Sequence, residues 1–308
     1  MTGTIKSDQL ISFHLDTFQN SLAKKLESMV IAIRSPIYIG LDDIVRTEIE
    51  LMVSNEKKCG DDKPKSTSSK KLPKLTVILE TTGGSIEVVE RINNVFRKHY
   101  KEVDYIVPGY AYSAGTVLVL AGDNIYMDYY SVLGPIDPQI QGDDGKFMPG
   151  MGYLYMYDEL IEKSRSNEIT NAELLFLTKK FDPARMFTIQ QAKNHSVDLI
   201  KEWLPKHKFK NWKKSETKGI RVTPKMKKDR AEDIAEILGD AEKWHSHGRG
   251  ITLNELRGEE IKLQIQDFGE DIELSKAIRQ YYDLFIDYGR RIGAEYAIHT
   301  ERGLRRIG

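Results

Sequence analysis

The chain is 308 residues long, 40% hydrophobic and 30% charged, with 23 Gly and 10 Pro, a composition that excludes collagen-like, disulfide-scaffold and wholly disordered structures. Its 46 basic side chains balance 46 acidic ones, so any affinity for polyanions has to be local. The single cysteine, Cys59, can form neither an internal bridge nor a cysteine metal cluster and suggests a reducing compartment. No signal peptide is readable in the polar stretch Met1 to Ser7, and the apolar run Thr116 to Gly122 is far shorter than the ~20 residues of a spanning helix. The expectation is a soluble, cytoplasmic protein with one α/β core and helical additions.

In chain order, residues 8–33 carry apolar side chains at helical spacing (Leu15, Leu22, Leu26, Val30), and Ser35-Pro36 stops the pattern. A second helix fits Leu41 to Val53, and the Lys, Ser, Asp and Pro of 54–74 predict a loop or linker. Leu75 to Leu79 reads as a strand buried on both faces, Thr81 to Ser85 as a turn, and Ile86, Val89, Ile92 and Phe96 as one stripe of a helix. Asp104 to Val107 supplies the next strand, completing a strand–helix–strand unit with parallel strands. Ser113 to Ala121 predicts a helix buried all round, 124–127 a short strand, 132–138 a proline-locked irregular segment and 142–152 a loop. Helices are expected at 156–167, 170–180, 184–203, 230–239 and 274–292, with a strand candidate at 261–265.

Two features 30 residues apart carry chemistry. Gly83-Gly84 after a buried strand can aim an amide N–H outward with no side chain in the way. Ser113, opening a buried helix, sits among unpaired N–H groups that stabilise an alkoxide or oxyanion. Brought together by a parallel sheet, the N–H groups of Gly84 and Ala114 would form an oxyanion hole beside the Ser113 hydroxyl. Each piece also has a plainer reading, a tight turn for the glycines and a helix N-cap for the serine.

Thr82-Gly83-Gly84-Ser85, Tyr112-Ser113-Ala114-Gly115-Thr116 and Val132-Leu133-Gly134-Pro135-Ile136-Asp137-Pro138-Gln139, in that order, resemble the Clp-peptidase/crotonase superfold. Within it the segment is similar to the serine dehydrogenase proteinase family, relatives of signal peptide peptidase A, over roughly residues 37–203. The resemblance implies an α/β fold with a repeated strand-strand-helix core and added helices at both ends. It divides the chain into an N-terminal helical segment (1–54), a linker (55–74), a Clp-peptidase-like core (75–203) and a basic, helical extension (204–308). It also implies a serine peptidase with Ser113 as nucleophile, Gly84 and Ala114 as oxyanion donors, and Gly83, Ser85 and Pro135 along the path of the peptide substrate. No metal and no cofactor are called for.

A Clp-type peptidase would carry a histidine near Ile136 or Asp137, and this sequence has none there. A lysine base of the signal-peptide-peptidase type points to Lys163, then Lys193, then Lys146, each requiring burial to lower its pKa. The alternatives are His245 or His247 folding back onto the site, with Asp137 either orienting the base or bracing a turn. Glu159, four residues before Lys163, would make an ordinary surface pair with it.

Residues 201–230 hold 12 Lys or Arg against 3 Asp or Glu, with Trp203, Phe209 and Trp212 among them. A solvated arm or linker is the first reading; peripheral contact with an anionic membrane is the second, and nucleic acid is not expected. The resemblance implies a homo-oligomer. Two rival functions stand beside the peptidase: a crotonase-like acyl-CoA enzyme using the same paired-amide hole, and a catalytically silent scaffold that binds peptides, membranes or nucleic acid.

Overall fold

The computed structural model describes residues 7–59, 71–141, 147–215 and 219–307. The chain opens with α1 (Ser7–Leu26), β1 (Met29–Arg34), α2 (Leu41–Cys59), β2 (Leu72–Glu80), α3 (Ile86–His99) and β3 (Tyr100–Ile106). It continues with β4 (Tyr110–Ala111), α4 (Ala114–Leu120), β5 (Asn124–Met127), β6 (Val132–Leu133), β7 (Gln139–Gln141) and β8 (Phe147–Pro149). Three helices follow, α5 (Gly150–Arg165), α6 (Asn171–Lys180) and α7 (Pro183–Lys206), then α8 (Pro224–Leu238) and α9 (Ala241–Trp244). The last part holds β9 (Ile251–Thr252), α10 (Leu253–Arg257), β10 (Gln266–Asp267), α11 (Ile272–Arg291), β11 (Ala297–Thr300) and β12 (Gly303–Arg306).

Seven strands form the main sheet in the order β10-β5-β3-β2-β1-β11-β12. The five from β10 to β1 run parallel, β11 is antiparallel to β1, and β12 is antiparallel to β11 at the edge. Alternation along the strands sorts their side chains into two cores. Ile31, Ile33, Val77, Leu79, Val103 and Tyr105 join a large cluster with residues of α2, α3, α4, α7 and α8. Val30, Ala32, Ile78 and Ile106 face the other way, against Leu15 and Leu22 of α1 and Ile278, Tyr281 and Phe285 of α11. The result is a sheet with helices on both faces, which is why β2 lacks a polar face in sequence.

Three expectations change. The periodic stretch 8–33 is a helix only as far as Leu26: Glu27 turns to a positive φ of 48°, and the β-branched Val30, Ile31 and Ile33 form the parallel partner of β2. The candidate strand 261–265 is irregular chain whose Ile261, Leu263 and Ile265 are nonetheless buried. The presumed loop 142–152 contains β8 and the start of α5, while residues 142–146 of it, and 60–70 of the expected linker, lie outside the described residues.

The basic stretch is no free arm. Lys201 pairs with Glu232 and Lys210 with the buried Asp123, Lys227 donates to the carbonyls of Phe209 and Lys210, and Trp203 is buried in the core. Residues beyond 204 also complete the body, since Ile234, Leu238, Ile251, Leu256 and Ile298 belong to the large cluster that contains β2 and α3. Among the described residues no helix is long and apolar enough to cross a membrane.

Candidate active site

The backbone of Ser113 is the local feature from which the site is built. It lies between β4 and α4 with φ 54° and ψ −121°, a conformation that costs a residue with a Cβ about 1–3 kcal/mol. Ser113 occupies the N-cap position of α4, yet its side chain makes no capping hydrogen bond. A sharp strand-to-helix turn of this kind lifts a hydroxyl clear of the helix it precedes. The Gly115 N–H donates to the Tyr112 carbonyl (2.8 Å) and the Thr116 N–H to the Ser113 carbonyl (2.9 Å). Ala114, at the first helical position, contributes an N–H of the kind that an α-helix cannot satisfy from within.

The glycine turn is fitted against this serine. A Cβ at Gly83 would lie 2.5 Å from the Tyr112 carbonyl oxygen, 2.8 Å from Ser113 Cβ and 3.3 Å from the Ala114 nitrogen, and the residue has φ +89°. Only glycine allows that approach. On one edge of the segment, the Ile37 N–H donates to the Gly83 carbonyl (2.8 Å) and the Ser85 N–H to the Ile37 carbonyl (2.8 Å). Because the Gly83–Gly84 peptide is trans, the Gly84 N–H points the opposite way, toward the edge where Thr81 pairs with Ala111. The Ala114 nitrogen thus lies against the glycine turn, 3.3 Å from where a Gly83 Cβ would stand.

A three-stranded sheet, β4-β6-β9, gathers the rest. Strands β4 and β6 are parallel and β9 is antiparallel to β6, with Ala111, Leu133 and Ile251 side by side in register. Ser113 comes two residues after Ala111, Asp137 four after Leu133, and His247 four before Ile251, so all three emerge at one end of the sheet. Gly134 allows the close fit, since a Cβ there would lie 2.8 Å from Tyr112 Cα. The buried Thr116 hydroxyl accepts from the Gly134 N–H (3.1 Å) and lies within hydrogen-bonding distance of the Ala111 and Gly134 carbonyls (2.9 and 2.8 Å).

Asp137 and His247 form a pair. His247 Nδ1 and Asp137 Oδ1 are 2.8 Å apart, with the carboxylate side chain 1% exposed and the imidazole 14%. An ionised carboxylate only accepts, so the Nδ1–H donates and Nε2 is the nitrogen left for a proton. The second carboxylate oxygen, Oδ2, is buried and has no partner among the described residues. The sequence offers His245 or His247 as an alternative to the lysines and Asp137 as an orienting group or a turn brace, but spacing does not choose between them; the structure pairs His247 with Asp137.

Lys163 does not take the expected role. It stands 37% exposed on α5, bound to Glu159 (2.9 Å) and Glu173 (3.1 Å). The hydrogen bonds from those two carboxylates raise its pKa, opposite to what a neutral-amine base requires. Lys193 is a half-buried residue of α7, and Lys146 lies outside the described residues. His245 is exposed and takes the left-handed conformation that ends α9. Ser85, expected along the substrate path, caps α3 instead: its hydroxyl accepts from the Val88 N–H (3.3 Å) and donates to Glu87 (2.7 Å). Pro135 is buried. Among the described residues, no group of three or more His, Cys, Asp or Glu is placed to hold a metal ion.

Residues 65–223 match the family described as ClpP-like SDH-type serine proteinase. That span contains Gly84, Ser113, Ala114 and Asp137 and stops short of His247. Two uncharacterized proteins of Methanocaldococcus jannaschii are each 30% identical, over 147 and 145 residues. In both cases 47% of this chain is covered, and the chain spans 46% and 44% of the relatives' own length. Among solved structures, a ClpP1 mutant from Listeria monocytogenes superposes with TM-score 0.27 and 18% identity, covering 36% of this chain and 58% of that one. A mutant of a membrane-bound stomatin-specific protease gives TM-score 0.42 and 13% identity, covering 80% and 82%. On a match that takes in more than half of its residues, with the serine, the glycine pair and the acid inside it, the chain belongs to the ClpP-like SDH-type serine proteinase family.

Proposed function

We propose that this protein hydrolyses peptide bonds through an acyl-enzyme on Ser113, with His247 as general base and Asp137 as the group that orients it. The reading is carried by the buried 2.8 Å His247–Asp137 contact at the same sheet end as the strained Ser113 turn. It replaces the lysine dyad, because Lys163 is held charged by two carboxylates.

In this mechanism His247 Nε2 takes the proton from Ser113 Oγ as that oxygen attacks the substrate carbonyl carbon. The carbonyl oxygen becomes an oxyanion and is met by the N–H groups of Gly84 and Ala114. Collapse breaks the C–N bond, and the imidazolium returns its proton to the leaving amine. Water then enters, gives its proton to Nε2, and its oxygen releases the acyl group as a carboxylic acid while Oγ recovers the proton. Asp137 keeps its charge throughout, fixing the Nδ1–H tautomer and stabilising the imidazolium. Each oxyanion donor is worth about 10²–10³ in rate. Thr82 and Gly84 are exposed, so an extended and flexible peptide is the substrate that fits this backbone.

A fluorophosphonate probe tests the assignment. Wild type is labelled, Ser113→Ala is not, and His247→Gln labels at least about 10²-fold more slowly. Labelling that survives Ser113→Ala removes the serine as nucleophile. A His247→Gln variant as fast as wild type removes the base.

A further inference from the structure

His247 sits in the middle of the segment 245–250, which links the buried Trp244 to β9. His245, Ser246, Gly248 and Arg249 are exposed, Gly250 adds a second glycine, and His245 has a positive φ of 60°. Chain of this composition and exposure opens easily. A catalytic group, by contrast, has to be held within about 0.5 Å of its working position. The hydrogen bond to Asp137 orients the imidazole ring but does not fix the backbone that carries it.

The two ends of the segment are drawn together by side chains. At the near end, Trp244 is 3% exposed, belongs to the large core cluster and donates its indole N–H to the Ile237 carbonyl (2.7 Å). At the far end, Arg249 folds back until its guanidinium carbon lies 5.3 Å from the centroid of the Trp244 ring, and Lys243 Nζ is 5.3 Å from the same centroid. A cation so placed is attracted by the ring. Both cations are tethered, Lys243 to Glu260 and Arg249 to Glu255 Oε1 (2.9 Å). Glu255 is fixed in turn, because its Oε2 accepts from the Thr252 N–H (2.8 Å) and hydroxyl (2.9 Å) in the capping box of α10. Within the segment, the Ser246 N–H donates to the Trp244 carbonyl (2.7 Å) and the Arg249 N–H to the Ser246 carbonyl (3.0 Å).

We infer that Arg249 is a positioning residue for His247: by bridging the Trp244 ring and the Glu255 carboxylate it closes the segment into a loop and holds the imidazole at Asp137. The inference rests on the role proposed above for His247. Each contact is weak by itself, since the Arg249 and Glu255 side chains are 43% and 34% exposed. Their effect is therefore on geometry rather than on the stability of the fold. A displacement of about 1 Å at a reacting group costs about 10²-fold in rate.

Two variants of the full chain test it. Arg249→Met keeps the stem and removes the cation. Glu255→Gln keeps the α10 cap through its amide oxygen and turns an NH₂ group toward Arg249. Each is expected to slow fluorophosphonate labelling of Ser113 at saturating probe by about tenfold or more, with the half-saturating probe concentration within about twofold of wild type and the Tm unchanged. Hydrogen exchange read by mass spectrometry is expected to quicken about tenfold or more over 245–250 and to match wild type elsewhere. On a His247→Gln background, Arg249→Met is expected to cost no further rate, because a residue that acts through the imidazole has nothing left to position. Wild-type labelling in both variants, unchanged exchange over 245–250, or a full further loss on the His247→Gln background overturns the inference. The two readings fail separately. If His247→Gln is slow and Arg249→Met is as fast as wild type, only the positioning role falls; if His247→Gln is as fast as wild type, the base falls and this role with it.

Discussion

Gly83 shows how much of the site rests on one missing carbon atom. It needs both a positive φ (+89°) and the space into which a Cβ would drive against Tyr112 and Ser113. Gly83→Ala should therefore lower stability by about 1–3 kcal/mol in chemical denaturation and slow probe labelling at least about tenfold, through displacement of the neighbouring Gly84 amide. Asp137→Asn should leave the fold intact and reduce kcat by about 10²–10⁴, by permitting the wrong imidazole tautomer; the readout is the kcat against KM split on one peptide substrate. Some of this was legible in the sequence. The glycine pair and the Ser-Ala-Gly turn announce themselves because local backbone requirements select local residue types. The pairing of His247 with Asp137, offered only as one alternative, could not be chosen from the sequence, because the two are 110 positions apart and meet only through strand pairing. A lysine four residues from a glutamate in a helix looks the same whether it serves catalysis or a surface ion pair, and for Lys163 the ion pair is what formed.

Among the elements, α4 and β6 set the spacing between Ser113 and Asp137, and Thr116 is their joint. Its buried hydroxyl serves the Gly134 N–H and lies within reach of the Ala111 and Gly134 carbonyls. Thr116→Val keeps the shape and leaves the Gly134 N–H on the Ala111 carbonyl (2.9 Å), but takes the hydroxyl from the Gly134 carbonyl, so we expect a loss of about 1–3 kcal/mol in urea denaturation and slower labelling of Ser113. The legibility of the elements followed their length and burial. Strand β2, helix α3, helix α4 and the helices between 150 and 206 were read correctly in kind because their apolar pattern repeats over several turns or fills a strand. Strand β1 was absorbed into the preceding helix, since Val30 falls on the extrapolated helical stripe and only the sheet reveals that it belongs to a period of two. Strands β9, β10, β11 and β12, of two to four residues each, are too short to leave a periodic signal.

At the scale of the whole molecule, the chain after 204 is structural as well as basic. It adds strands to the seven-stranded and three-stranded sheets and holds polar groups that respond to pH. Burial, with Arg97 nearby, holds the His207 imidazole down at about 4, against 6.5 for a free histidine. The unfolded chain therefore takes up a proton below about pH 6.5 that the folded one refuses until about 4. Stability is greatest above that window and falls as the pH drops through it. The buried His299, between Tyr281 and Asp16, is also held below its usual value and acts in the same direction. A thermal melt series from pH 7.5 to 4.5 should show a falling Tm, and His207→Gln should flatten part of that slope while leaving the Tm near pH 7.5 little changed.

The order in which the parts leave the ribosome has its own consequence. The serine is translated 134 residues ahead of the imidazole that would activate it, and β11, which slots in beside β1, comes later still. A growing chain thus carries a mute hydroxyl. On the mechanism proposed above, competence would arrive only when β9 has paired with β6 and brought His247 to Asp137.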